Sequence, residues 1–124
     1  DVLLMAAEAY NRKSSPDDTK ALSYINQVRA RAQMPDLTSR GDKLFEDIKL
    51  ERRLELAFEF VRYQDLIRWG DADKVLADQG KKIPRGDGTY FDFPDAGFKE
   101  RNWLLPFPDT EINVNPNLKQ NAGW

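Results

Sequence analysis

Two glutamates, Glu51 and Glu55, stand one helical turn apart, and their spacing suits a catalytic pair. Two carboxyl groups about 5 Å apart act as nucleophile and acid in retaining glycosidases. Carboxylates at this spacing are also common in ion-pair networks, since a buried carboxylate without a partner would be costly or would protonate. Nothing near the pair in sequence indicates an open cleft. We therefore predict a structural network, with Arg29 or Arg31 of another helix reaching across, and treat a glycoside hydrolase as the less favoured alternative.

The segment that carries this pair, residues 51–70, mixes charges with apolar side chains in the order ERRLELAFEFVRYQDLIRWG. Arg62 lies three residues from both Glu59 and Asp65, a spacing that permits ion pairs within one helix. Apolar residues fall on two opposite sides of the helical projection. One side carries Leu44, Ile48, Phe58, Leu66 and Trp69, and the other carries Phe45, Leu56, Phe60, Tyr63 and Ile67. Apolar stripes on both sides predict a central helix buried on two faces.

Aromatic residues cluster in the C-terminal third of the chain. The cluster comprises Tyr90, Phe91, Phe93, Phe98 and Trp103. Such side chains either cover a helix or stack on sugar rings, and we expect cover for most of them. Tyr90 and Trp103 each carry a polar tip, so these two are the candidate ligand-binding residues.

Three acids of the same region, Asp87, Asp92 and Asp95, do not match the spacing of a calcium loop, and we predict no metal site. The tripeptide Arg85-Gly86-Asp87 spells an adhesion motif, but its Gly-Asp-Gly continuation is explained by turn geometry.

Composition excludes several classes of protein. The 124 residues contain neither Cys nor His, so disulfides, zinc sites and thiol or imidazole catalysis are excluded. The net charge of −2 and the lack of a basic run argue against nucleic-acid binding. The sequence indicates no cofactor, because it contains no glycine-rich phosphate loop. We expect the chain to be a piece of a longer protein, because it starts in helical periodicity without a leader.

The elements expected around these residues are mostly helical. Residues 2–13 and about 16–33 form an αα-hairpin, with Ser15 as N-cap and Pro16 at the first helical position. This pair is similar to one tetratricopeptide unit. A long third helix runs from about 43 to 69, with Asp42 as its cap and Gly70 as its terminator. Asp71 caps a short helix, 72–79. A hairpin turns at 85–88, the chain is extended over 103–108, and Asp109 caps a final helical turn, 110–114.

Three segments of the chain, in this order, resemble the SusD/RagB family. The first is LMAAEAY (4–10) followed by AL (21–22) and INQVRARA (25–32). The second is ERRLELAFE (51–59) with Arg62, Asp65-Leu66 and Arg68-Trp69-Gly70. The third is LPFP (105–108) with Glu111-Ile112, NPNL (115–118) and QNAGW (120–124). Small departures are Phe107 for a usual Ile, Ala122 for a usual Pro, and Val61 with Tyr63 where Gly, His or Trp types are frequent.

The resemblance implies the C-terminal portion of a SusD-like, non-enzymatic, outer-membrane lipoprotein exposed at the cell surface. Such a protein captures an oligosaccharide or another nutrient and hands it to a SusC-like TonB-dependent transporter. It contacts the membrane through an N-terminal lipid anchor that lies outside this sequence. No catalytic residue and no ligand-site motif carries over from the family.

The expected fold is mainly α, with an antiparallel tetratricopeptide-like helix pair, a long central helix and a small irregular C-terminal region containing a β-hairpin. Within one SusD-like domain, 1–124, these parts are 1–35, 42–79 and 80–124. The alternative function is a helical protein–protein interaction module of the tetratricopeptide type.

Overall fold

The computed structural model describes all 124 residues as two compact units, 1–62 and 63–124. The first unit contains α1 (Val2–Arg12), α2 (Asp18–Arg31) and α3 (Gly41–Glu55). The second contains nearly all of α4 (Arg62–Trp69), then α5 (Ala72–Val75), β1 (Lys82–Pro84), β2 (Tyr90–Asp92), a 3-10 helix (Glu100–Trp103) and α6 (Asp109–Val114). The prediction of a mainly helical chain with a small β-hairpin is confirmed.

The core of the first unit is built from the apolar faces of its three helices. It consists of Leu4, Ala7, Ala21, Ile25, Val28, Leu44 and Ile48. The large aliphatic members are fully buried, and each contributes about 1.5–3 kcal/mol relative to an exposed side chain. Ala7 and Ala21 are fully buried at the contact between α1 and α2, where their small side chains leave room for the neighbouring helix.

Polar contacts at the two ends of these helices fix their directions. The Asn11 amide nitrogen, at the end of α1, donates to an Asp18 carboxylate oxygen at 2.9 Å and to the Gly41 carbonyl oxygen at 3.1 Å. The starts of α2 and α3 therefore both meet the end of α1. Asp1, just before α1, pairs with Arg52 near the end of α3 at 2.8 Å. Helix α1 thus runs antiparallel to both α2 and α3, and those two helices point the same way.

Two parallel helices need a return connection, which the loop 32–40 provides. Helix α2 is about 21 Å long, and nine extended residues reach about 30 Å. Asn26 holds the loop alongside α2, because its side-chain amide donates to the Leu37 carbonyl oxygen at 3.1 Å and accepts from the Leu37 amide at 2.9 Å. The Arg29 Nε adds a bond of 2.8 Å to the Pro35 carbonyl oxygen.

The junction of α1, α2 and α3 also perturbs one carboxyl group. The Gly41 amide donates to Asp18 at 2.8 Å, and the Asn11 amide donates to the other carboxylate oxygen. These two bonds hold the pKa of Asp18 below its ordinary value of 3.8. Asp18 thereby ties the start of α2 to the start of α3 as a carboxylate.

The prediction of one long third helix from 43 to 69 is wrong. Helix α3 ends at Glu55, and α4 begins only at Arg62. Between them Phe58 and Phe60 adopt left-handed backbone angles, with φ of 69° and 61°. Their side chains are 97% and 92% exposed, so the predicted two-sided burial of this segment fails there. Periodicity counts apolar residues but does not detect a helix break that contains no Gly or Pro.

Helix starts were also predicted imperfectly. The N-cap of α2 is Asp17, whose carboxylate accepts from the Lys20 amide at 3.0 Å, instead of Ser15. Helix α3 begins at Gly41, so Asp42 lies inside the helix and is not its N-cap. The Asp42 carboxylate pairs with Arg12 at 3.1 Å. Asp109 is likewise the first residue of α6, and its side chain makes no cap bond.

Smaller corrections concern helix ends. Helix α2 ends at Arg31, not near 33, and α5 ends at Val75, not 79. The predicted stop at Gly70 is confirmed: φ is 71°, and the Asp71 amide donates to the Leu66 carbonyl oxygen at 2.9 Å. This positive φ matches the usual glycine termination of helices.

The predicted hairpin is confirmed. Strands β1 and β2 pair antiparallel, with Ile83 opposite Phe91. Gly88 takes the left-handed position of the turn, with φ of 84°. The Thr89 hydroxyl and amide both donate to Asp87, at 2.6 and 3.0 Å, and hold the pKa of Asp87 below 3.8. This local network explains the Gly-Asp-Gly sequence without an adhesion role.

The C-terminal tail folds back on residues 101–107 through side-chain amides. Gln120 bonds both the amide and the carbonyl of Phe107, each at 2.9 Å. The Trp124 indole donates to the Arg101 and Leu104 carbonyl oxygens, also at 2.9 Å. Gln120, together with Asn121, whose side chain donates to the Leu105 carbonyl oxygen at 2.6 Å, therefore anchors an extended segment.

Candidate functional site

The carboxylate pair on α3 is engaged by the arginines of α2. Arg29 Nη1 lies 2.8 Å from Glu51 Oε2, with side-chain exposures of 14% and 9%. Arg31 Nη2 lies 2.6 Å from Glu55 Oε1, with exposures of 68% and 27%. The predicted cross-helix network is confirmed, because both arginines reach across from the parallel neighbour.

This arrangement does not favour glycosidase chemistry. A nucleophilic carboxylate must face a cavity that admits the sugar, whereas Glu51 is buried against Arg29. The pair instead joins the C-terminal ends of α2 and α3.

Tyr90, the first predicted ligand-binding residue, lies on β2 and is 59% exposed. Its strand neighbour Phe91 is half-exposed and carries the Arg85 guanidinium 4.0 Å from its ring centroid. Phe93 follows on the same side of the chain, with its ring centroid 6.3 Å from that of Phe91. The hairpin therefore presents aromatic surface instead of burying it, contrary to the expectation that most of these rings serve as cover.

Trp103, the second predicted residue, ends the 3-10 helix and is only partly exposed. Phe98 packs against it edge-on, with centroids 4.9 Å apart and planes at 75°. Nearby, the Tyr63 hydroxyl donates to the Asn102 carbonyl oxygen at 2.9 Å. Trp103 thus belongs to a small packed cluster, separate from the aromatic face of the hairpin. Its role and that of Tyr90 in ligand binding stay predictions.

An open groove of about 440 Å³ lies beside the hairpin. Its walls are mainly apolar, and its lining includes Gly80, Ile83, Asp92, Phe93, Pro94 and Asp95. This volume falls in the range of small-ligand clefts, roughly 300–1,000 Å³. The sequence predicted Phe93 as part of an aromatic cluster that mostly covers a helix. It gave Asp92 and Asp95 only as acids whose spacing does not match a calcium loop. These three residues are neighbours in sequence, and the hairpin register places Ile83 of β1 beside them, which the sequence alone did not indicate.

The acids of the second unit do not assemble into a cation site. No group of three or more Asp or Glu side chains in the chain is arranged to hold a metal ion. None of the helices combines the length and the hydropathy needed to cross a membrane. The first unit is a helical scaffold whose helices are joined by ion pairs. The second unit has an exposed aromatic face beside a groove. These features define a mainly helical protein with a small β-hairpin.

Comparison with known proteins agrees with this class. The chain belongs to the SusD family, whose sequence profile matches residues 1–124. It is 36% identical to a SusD-like protein of Formosa agariphila, over 98% of this chain and 24% of that protein. A second SusD-like protein of the same organism is 37% identical, over 95% of this chain and 21% of its own length.

Solved structures show the same relationship. A SusD-like protein from Bacteroides fragilis superposes with a TM-score of 0.73 at 30% identity, covering 99% of this chain and 24% of that one. A SusD superfamily protein from Parabacteroides distasonis gives 0.66 at 29% identity, covering 99% of this chain and 26% of its own. The chain thus spans about a quarter of the length of the relatives it matches.

Proposed function

We propose that the protein captures a glycan or another nutrient at the outer-membrane surface without cleaving it, and hands it to a SusC-like TonB-dependent transporter. Membership of the SusD family over residues 1–124 is the observation that carries this proposal. The Glu51 carboxylate of α3 supports its non-enzymatic part, since it is buried and paired with Arg29 and so does not face a cavity that could admit a sugar.

Within that function, we assign residues 1–62 a scaffold role. Three helices meet there through a fully buried aliphatic core, and charged groups lock both ends of the bundle. We assign ligand contact in this chain to the second unit, because the groove beside the hairpin lies there with the half-exposed ring of Phe93 in its lining.

Binding and cleavage are separated by testing the protein against a glycan panel while analysing the products. We expect binding of at least one glycan, with no change in its chain length after prolonged incubation. Glu55→Gln is the informative variant, because its ion pair is largely exposed and its loss should leave the fold intact. Hydrolysis that disappears in folded Glu55→Gln would overturn the binding proposal.

Hand-over is tested by isolating the protein from its own outer membrane under mild detergent. We expect a barrel transporter to copurify and the protein to carry a lipid at its N-terminus. Recovery as a lipid-free protein without any transporter would contradict the proposed location and partner.

A further inference from the structure

We propose that the groove beside the hairpin, defined by Ile83, Asp92, Phe93, Pro94 and Asp95, binds a sugar segment and selects neutral over anionic glycans. This inference rests on the proposed function and deepens it, because it names a site and the ligand chemistry that the site accepts. Tyr90 and Trp103 do not line this groove, so it is distinct from the residues predicted from sequence.

The groove lies between two turns that the backbone holds in place. The Phe93 amide donates to the Lys81 carbonyl oxygen at 2.7 Å, which extends the hairpin pairing beyond β2. The Ala96 amide donates to the Phe93 carbonyl oxygen at 2.9 Å and closes the turn that carries Pro94. Gly97 follows, packed so closely against the Ala77 carbonyl group that no side chain fits there. These constraints preform the groove, so binding does not have to order it.

The apolar surface of the groove suits the C–H face of a sugar ring. Phe93 is 47% exposed, although an aromatic ring without a ligand role gains by burial. Ile83, also about half-exposed, and Pro94 provide further apolar surface. A ring with an apolar face and polar edges can lie on this surface and keep its hydroxyl groups at the rim.

The rim charges define which sugar fits. The Asp92 carboxylate makes no ion pair, and the nearest cation to Asp95 is Lys99 Nζ, at 3.9 Å. Lys82 lies opposite Asp92 in the hairpin register, but it makes no ion pair with Asp92 and does not line the groove. Lys81 is paired with Asp78 at 2.8 Å. Ionised carboxylates only accept hydrogen bonds, so they bind hydroxyl donors of neutral sugars. Sulfate and uronate groups are repelled by the same two charges.

The test compares groove variants with matched controls on the same glycans. The probes are neutral malto-, cello- and laminari-oligosaccharides, chondroitin sulfate oligosaccharides and oligogalacturonates, measured by calorimetry or affinity electrophoresis. Phe93→Ala removes the stacking face, and we expect about tenfold weaker binding of the neutral probe. Phe107→Ala is the control, since Phe107 is also partly exposed but lies outside the groove lining; we expect less than a twofold change.

The charge argument has its own readout. Asp92→Asn combined with Asp95→Asn keeps the shape of the rim and removes both charges. We expect this double variant to bind sulfated or uronate probes that the protein without these substitutions does not bind. Asp109→Asn, an exposed acid on α6, is the control and should not relax the selectivity. A merely structural role for the two acids would not change the preference between neutral and anionic probes.

The outcomes separate this inference from the proposed function. Glycan binding that survives Phe93→Ala unchanged would overturn the groove while leaving glycan capture in place. Preferential binding of anionic probes by the unchanged protein, or capture of a peptide in the groove, would also overturn the inference. Failure to bind any glycan, neutral or charged, would overturn the proposed function and the groove together.

Discussion

The cross-helix ion pair of Arg29 and Glu51 gives the sharpest prediction about stability. Arg29→Met removes the cation but leaves the Glu51 carboxylate 91% buried as a side chain and without its partner at 2.8 Å. Breaking a buried pair from one side costs about 3–5 kcal/mol. The lost bond from Arg29 Nε to the Pro35 carbonyl oxygen adds about 1 kcal/mol. We expect Arg29→Met to destabilise the first unit by about 4 kcal/mol or more.

Arg31→Met is the matched control. Arg31 makes the same type of contact, at 2.6 Å to Glu55, which lies one helical turn after Glu51 on α3. The Arg31 side chain, however, is 68% exposed. Exposed pairs contribute only about 0.2–1 kcal/mol. The two variants therefore remove the same chemical group from one helix and differ in the burial of the partner left behind.

Urea unfolding followed by far-UV circular dichroism measures these differences. The three tryptophans, Trp69, Trp103 and Trp124, all lie in the second unit, so their fluorescence reports on that unit separately. A loss of about 4 kcal/mol is a large share of the stability of a unit of this size. Glu51→Gln, which neutralises the buried group and keeps its shape, is the milder probe, with an expected loss of about 1–2 kcal/mol.

Two results would refute the reasoning. One is equal destabilisation by Arg29→Met and Arg31→Met, which would mean that burial does not set the cost. The other concerns the double variant Arg29→Met with Glu51→Leu, which replaces the ion pair by apolar groups and should recover most of the lost stability. If the double variant is no more stable than Arg29→Met alone, the cost does not come from the unpaired carboxylate.

Three further predictions follow from backbone angles and titration. Phe60→Gly should stabilise the chain by about 0.5–1 kcal/mol in thermal unfolding, because the position has a left-handed φ and the Phe side chain buries nothing; unchanged or lower stability would contradict this. Gly97→Ala should lower the free energy of unfolding by about 3 kcal/mol or more, since its Cβ would collide with the Ala77 carbonyl group. Gly70→Ala, at a positive φ with open space around it, should lower it by only about 1–2 kcal/mol. Similar losses at both sites would refute the collision. The pKa of Asp18 is lowered in the folded chain, so its contribution is present above its ordinary value of 3.8 and is lost as pH falls through the lower folded value. Asp18→Asn should therefore reduce the acid-side slope of unfolding free energy against pH, and an unchanged slope would contradict the hydrogen-bonded carboxylate.

Several features of this fold are predictable from sequence because local chemistry decides them. Gly70 ends α4 since glycine adopts the left-handed angle without strain. The Gly-Asp-Gly segment favours a hairpin turn for the same reason, since Gly88 adopts a positive φ. The arginines of α2 were predictable partners, because charges on an otherwise buried face must be neutralised wherever the fold places them.

Other features depend on tertiary structure. Ser15 and Asp17 are both competent N-caps, and the choice of Asp17 follows from how the chain leaves α1, where the Asp17 amide bonds the Tyr10 carbonyl oxygen at 2.9 Å. The helix break after α3 places Phe58 and Phe60 in backbone angles that most residues avoid. A periodic pattern of apolar residues continues through such a break, so periodicity alone predicted one helix where the chain forms two.

The two units use their charged groups differently, and this difference connects stability to function. In the first unit, Arg29, Glu51 and Asp18 are committed to contacts between helices, so changing them should alter unfolding without altering ligand preference. In the second unit, Asp92 and Asp95 border the groove without a close ion pair, so neutralising them costs the fold little. A charge change that shifts selectivity should therefore leave unfolding unchanged. That separation is what a scaffold carrying a binding surface requires, and it is measurable on the same set of variants.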